Sequence, residues 1–371
     1  MSAGRPRLIL HTESSLGLGG QELRTLAEMR WLLDHGWQAL LVCPPGSRLQ
    51  AEAESEALPI APIAMRSSVD VRACLALRRL IAARHVDLVH THSSVDSWLG
   101  AVAARSRRRP VVRSRHVTIP IRRALVYRLA DRVIASGQAA AERVSAAGIR
   151  RERIVAISAG VDGGRFHARV SGAGVRAELA LAGPVVGLVA NVRGSKGHRY
   201  FLEAARDVLG KRPDARFLIV GDGVGFDDVR RRVQDMGLGR EVIMTGFRRD
   251  IPEVLAALDV LVLPSIKSEA TSQVILQSFA VGTPVVATTV GGSPELVRDG
   301  DTGRLVPPAD CPALAAAILS MLEDPARARS MARAGQALVQ AEHTLDAVMA
   351  RTTDVYAELL ASSSARIVQR G

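Results

Sequence analysis

At 371 residues the chain is too long for one ordinary hydrophobic core and calls for two domains of ~100 to 200 residues each. Its 47% apolar and 23% charged residues exclude the disordered and fibrous classes, and no run reaches the ~18 consecutive apolar residues that span a bilayer. A formal charge of +12, carried by 46 Arg against 3 Lys, predicts attraction to anions and leaves nucleic acid, anionic lipid and phosphorylated sugars open as partners.

Met1 to Arg7 leads into a strand-like segment without a secretory apolar core, so a cytoplasmic protein is expected. β-Branched runs at Leu8 to His11, Ala39 to Cys43, Asp87 to His90, Val111 to Arg113 and Arg132 to Ala135 alternate with helical stretches such as Gln21 to His35. Ile154 to Ile157 reads as another strand, and the glycines from Gly160 to Gly174 suit a hinge. The alternation recurs at Val185 to Ala190, Arg216 to Val220, Val242 to Thr245, Val260 to Pro264 and Pro284 to Thr288, and after Pro312 only helices follow. This is an α/β pattern of two doubly wound parallel sheets, with ligands beyond the carboxyl ends of the strands and a cleft between the domains. The domains are predicted at residues 1–168 and 169–344, the last helix, about 345–371, returning to the first. Cys43, Cys74 and Cys311 lie far apart and read as buried thiols rather than disulfides or metal ligands.

The densest chemistry lies between Pro264 and Thr288. A buried strand ends at Pro264, a polar loop carries Glu269, Thr271 or Ser272 caps a helix, and Gly282 with Pro284 ends it. Free N–H groups at that helix start favour a phosphate, and Glu269 and Gln277 face one ligand; an ordinary capped surface helix is the alternative. The segment resembles the Glu-x7-Glu motif of retaining family 4 glycosyltransferases, and Val290-Gly291-Gly292-Ser293-Pro294-Glu295 resembles that family's next landmark. The resemblance covers almost the whole chain and is to a branch acting on bacterial lipopolysaccharide and cell-surface polysaccharide.

It implies the GT-B fold, two Rossmann-like domains, and transfer of a sugar from a nucleotide-diphosphate donor with retention and without a metal or other cofactor. UDP- or ADP-sugars are the donors expected, and a lipid-linked or lipopolysaccharide glycan is the acceptor. In the family the first Glu contacts donor-sugar hydroxyls and the second the ribose, which here are Glu269 and Gln277. Gln277 departs from the motif, and its neutral amide both donates and accepts toward hydroxyls. Ala270, Thr271, Ser272 and Gln273 complete this donor segment.

A second strand-to-helix loop, Asn191-Val192-Arg193-Gly194-Ser195-Lys196, offers a guanidinium and an ammonium, as a departing diphosphate requires. Lys196 matches the family's phosphate-binding Lys; Asn191 stands where its Arg is usual, with Arg193 the substitute or a solvated basic loop the alternative. The loop from Thr12 to Glu22 brings Gly19, Gly20 and Gln21 toward the donor, since glycines allow close backbone approach. Gly246, Phe247 and Arg248 are read as the base-facing loop, and Glu13, His92 and Arg115 as the acceptor side. His116 resembles the family's His near the reacting sugar. His90 and His92 invite a metal reading, but no third ligand of suitable spacing follows, and none is expected. Asp299-Gly300-Asp301 reads as a turn.

Ten arginines between Arg105 and Arg132, with Asp131 the only acid, suggest a basic face for peripheral contact with anionic membrane, or simply a solvated one. With 3% aromatic residues, stacking platforms are scarce and specific nucleic-acid binding is not expected. A nucleotide-sugar 2-epimerase of the same fold is the enzymatic alternative.

Overall fold

Strands buried on both faces need apolar residues at every position, and the two faces here drain into separate cores. In the computed structural model, which describes residues 5–121 and 124–368, Leu8 and Leu10 pack with Leu40, Val42, Val89 and Val111 on one side of the first sheet. Ile9, Leu41, Leu88 and Ile134 pack on the other with Leu26 and Met29. The sheet holds β1 (Leu8–Thr12), β2 (Gln38–Val42), β3 (Leu88–Thr91), β4 (Val111–Arg115), β5 (Arg132–Ala135) and β6 (Ile154–Ala156). All pairs are parallel, in the order β2-β1-β3-β4-β5-β6.

The second sheet repeats the plan with β7 (Val185–Val189), β8 (Arg216–Val220), β9 (Val242–Gly246), β10 (Val260–Leu263), β11 (Val285–Thr288) and β12 (Arg304–Val306), ordered β12-β11-β10-β7-β8-β9. Val186, Leu188, Phe217 and Ile219 enter one core, and Val185, Val189, Leu218 and Val220 the other. Both sheets therefore reverse strand order beside their first strand, between β1 and β3 and between β7 and β10. Loops leave such a switch point in opposite directions and open a crevice at the carboxyl ends of the strands.

The chain divides between Ser158 and Ala159 rather than after residue 168. Ala159, Val161 and Phe166 are buried in the second unit's core, and Val161 bridges to Thr344. The helix Leu345–Val368 belongs to the first unit, where Val348, Met349 and Tyr356 pack with Ile9 and Leu41. No helix among the described residues is long and apolar enough to cross a membrane. Cys43 is buried, whereas Cys74 and Cys311 are only half-buried; all three are free thiols.

Candidate active site

In the second unit the loops after β7 and β10 meet at the switch point. Gly197 makes this possible: it adopts a φ of 76°, and a Cβ there would lie 1.8 Å from the Pro264 carbonyl oxygen. The Ile266 N–H donates to the Ser195 carbonyl at 2.9 Å, tying the two loops together. Lys196 Nζ is thereby ion-paired with Glu269 Oε1, which also accepts from Ser265 Oγ at 2.5 Å. Ser265 is fully buried and its carbonyl receives Thr288 Oγ1 at 2.6 Å, so the serine anchors the carboxylate to β11. Sequence reasoning missed Ser265, although it immediately follows the strand-ending Pro264.

The Gly-Gly landmark closes on the same residue. Gly291, at a φ of 58°, would place a Cβ 1.9 Å from the Glu269 carbonyl oxygen, which accepts the Gly292 N–H at 3.1 Å. Ser272 is the N-cap of the helix Gln273–Val281, with Gln277 half-buried within it and Gly282 at its left-handed end. Its capping hydroxyl makes no hydrogen bond to the helix, so the first backbone donors stay open to an anion. Ala270 is buried, and Thr271 and Gln273 are half-buried. Arg193 and Asn191 are exposed on the neighbouring loop, and Arg193 has no ion-pair partner among the described residues. A paired ammonium and open N–H groups, with an exposed guanidinium on the same loop as the ammonium, are the groups that an oligophosphate would need.

Arg248, read as part of the base-facing loop, is held by two carboxylates. Its guanidinium bridges Glu178 at 2.7 and 2.8 Å and Asp250 at 2.8 and 2.5 Å. Gly246 ends β9 with a φ of 74°, and Phe247 is 38% exposed. Asp299-Gly300-Asp301 is a turn, with the Gly300 N–H donating to the Gly303 carbonyl at 2.8 Å and Asp299 engaging Arg304 at 2.9 Å.

In the first unit Glu13 follows β1 directly and is buried. One oxygen accepts the Ser15 N–H at 3.1 Å and the other the Gln21 side-chain amide. Burial, with Asp96 and Glu22 nearby, pushes its carboxyl up to about 8. Asp96 accepts the His92 N–H at 3.0 Å and the Ser93 N–H at 3.1 Å, and Glu22 accepts the Gly19 N–H at 2.8 Å. The glycine loop from Gly19 to Gly20 is thus held open at the start of the helix Gly20–Asp34, with Gly20 exposed.

The reading that His90 and His92 lack further partners is overturned. His11, on β1, and Glu28, on the helix Gly20–Asp34, join them, with ligand atoms of all four within 4.8 Å of one another. Glu28 is already paired to Arg24 Nε at 2.6 Å. His90 bonds Tyr356 Oη at 2.6 Å and Ser114 Oγ at 2.8 Å. His92 bonds His11 at 3.0 Å and His116 at 3.3 Å. Burial holds His11 down to about 3, and burial reinforced by Arg24 holds His90, His92 and His116 well below the ordinary imidazole range.

The arginine-rich segment is not one solvated face. Arg113 is buried 4.0 Å from the Tyr127 ring centroid. Arg105 pairs with Asp131, Arg132 with Glu358, and Arg115 donates to the Ile119 carbonyl at 2.5 Å. Arg107, Arg108 and Arg128 are exposed, near in sequence to the exposed Ile119 and Leu125. Arg122 and Arg123 lie outside the described residues.

Residues 183–324 match the model described as Glycosyl transferases group 1, and residues 18–165 that of Glycosyltransferase Family 4. The chain belongs to the family 4 glycosyltransferases. Among its relatives, an alpha-D-kanosaminyltransferase of Streptomyces kanamyceticus is 33% identical over 47% of this chain and 46% of that protein. The lipopolysaccharide core biosynthesis glycosyltransferase LpsE of Rhizobium meliloti is 31% identical over 64% of this chain and 66% of its own length. The matched stretch thus spans about half of the first relative and just under two thirds of the second. Anabaena Alr3699/HepE in complex with UDP-glucose has a TM-score of 0.85 at 24% identity, covering 95% of this chain and 99% of that one, and shows the shared GT-B fold.

Proposed function

We propose that the protein transfers a sugar from a nucleotide-diphosphate donor to a hydroxyl of a lipopolysaccharide core or other surface-glycan acceptor, with retention and without a metal. The observation that carries this reading is the convergence of Lys196 and Ser265 on Glu269 at the switch point of the second sheet. Lys196 and Arg193 stabilise the diphosphate as the bond from the anomeric carbon to its phosphate oxygen breaks. Glu269 orients the sugar hydroxyls, Gln277 takes the ribose, Phe247 stacks on the base, and His116 serves the transferred sugar. A leaving phosphate oxygen takes the acceptor hydroxyl's proton as the new glycosidic bond forms.

A UDP-sugar is the leading donor, supported by the UDP-glucose complex of the Anabaena neighbour, with ADP-sugars second. The lipopolysaccharide relative supports the acceptor class. Contact with anionic lipid, on the inner face of the cytoplasmic membrane, rests on Arg107, Arg108 and Arg128; liposome flotation that salt does not weaken, or that fails, removes it.

Thermal-shift screening of nucleoside diphosphates is the direct test. The correct one, at about 100 times its dissociation constant, adds roughly 2.7 kcal/mol to stability. Turnover of the matching nucleotide sugar then requires acceptor, survives chelator and is lost in Glu269→Ala. An epimerised donor formed without acceptor, or full turnover by Glu269→Ala, overturns the assignment.

A further inference from the structure

Four imidazoles, those of His11, His90, His92 and His116, gather at one end of the first sheet. Three of these rings form a line. His11 Nδ1 lies 3.0 Å from His92 Nε2, and His92 Nδ1 lies 3.3 Å from His116 Nε2. Successive rings are stacked, with interplanar angles of 13° and 21°. His90 stands beside the line, its two nitrogens taken by Tyr356 and Ser114.

Such a line has a direction. A neutral imidazole carries one N–H, so His92 donates through one nitrogen and accepts through the other. Protons therefore run either from His11 to His116 or the reverse. The two ends differ. His11 Nε2 is buried with no hydrogen-bond partner, and Glu28 Oε2, likewise without one, is not bonded to it. His116 is half-buried, at the outer end of β4. Running the protons inward leaves an N–H buried at His11 without an acceptor, a loss of about 1–3 kcal/mol, whereas a bare lone pair there is better tolerated. Running them outward leaves His116 with Nδ1–H at the open end.

We propose that His11 and His92 are positioning residues that lock His116 in the Nδ1–H tautomer, presenting a fixed neutral donor to the ligand. The inference rests on the reading of His116 as a sugar-facing group, and the tautomer is the part that is new. A hydrogen bond at one imidazole nitrogen decides which proton the other carries. Desolvation of the rings, reinforced at His116 by Arg24, Arg115 and Arg113, disfavours the competing charged form, in which both nitrogens of His116 would donate. A divalent cation among His11, Glu28, His90 and His92 is the rival occupant. It would have to displace one of the bonds already made by His90 and one of those made by His92, and share Glu28 with Arg24.

Long-range 1H–15N correlation spectra of the full chain, with labelled histidine and no added metal, read the tautomers directly. The expected result is Nδ1–H for His11, His92 and His116, assigned with His116→Gln and His92→Gln. In His11→Phe the His116 signal moves toward the Nε2–H form, and kcat falls about 10-fold with little change in KM for the donor. Nδ1–H at His116 in the native chain supports the lock even where His11→Phe does not fold. Nε2–H at His116 overturns it, as does stoichiometric zinc or another divalent metal in the purified protein by elemental analysis. Should His116→Ala leave turnover intact while the native tautomers are as stated, the sugar-facing role fails and the lock stands.

Discussion

The two switch points handle charge in opposite ways. In the second unit Lys196 and Glu269 form an ion pair, and Arg193, on the Lys196 loop, has no ion-pair partner among the described residues. In the first unit burial drives charge out, holding His11 down to about 3 and Glu13 up to about 8. A site that keeps an ion pair is built to exchange one partner for another: under the proposed function a diphosphate competes for Lys196 and releases Glu269 toward the sugar. A site of neutral imidazoles and a protonated carboxyl instead offers fixed hydrogen-bonding directions, which suits hydroxyls.

Breaking the charged side has the largest expected effect. Lys196→Met lowers kcat by about 10²–10³-fold and, by leaving Glu269 buried without its cation, costs about 3 kcal/mol in urea unfolding. The double variant Lys196→Met with Glu269→Leu recovers stability but no turnover; recovery of both dissolves the comparison. Gly197→Ala comes next. Its Cβ has no room against Pro264 and its φ is left-handed, so about 2–4 kcal/mol is lost in the same measurement.

The uncharged side is tested by pH. Glu13 binds its proton in the folded state up to about pH 8, whereas the unfolded carboxyl releases it near 4.5. Glu13 therefore lowers stability progressively as pH rises between those values. Thermal melts of Glu13→Gln gain on the parent chain across that window, by up to about 1.4 kcal/mol per pH unit. The histidines have the opposite slope. The unfolded imidazoles take up protons below 6.5 while His11 resists down to about 3, so stability is full above 6.5 and falls with acid. A Glu13→Gln curve parallel to the parent's would show the carboxyl to be charged after all. The smallest change is Gln277→Glu, where a charged acceptor tightens KM for the donor roughly threefold to fivefold.

Much of this was legible from residue order alone. β5 and β8 begin and end where their predicted runs do, because a strand buried on both faces writes itself as a continuous apolar word. Glu269 and Lys196 were legible because each follows such a strand, and strand ends in parallel sheets converge. What stayed hidden depends on pairing across long separations. Glu178 claims Arg248 from a helix 70 residues earlier, Tyr127 covers Arg113, and His11 and Glu28 reach His90 and His92 from the first strand and helix. No local periodicity records which distant side chain a polar group will meet.

The helix Leu345–Val368 gives the first unit an ordering in time as well as in space. Tyr356 supplies the hydroxyl that holds His90 and fills the face behind β1, yet a ribosome delivers it only after the whole second unit. While the second unit is being synthesised, the face of the first sheet that carries Ile9 and Leu41 is covered by Leu26 and Met29 but lacks Val348, Met349 and Tyr356. Its maturation is thus set by the arrival of that helix, and a nascent chain halted before residue 345 would expose part of an apolar face to chaperones.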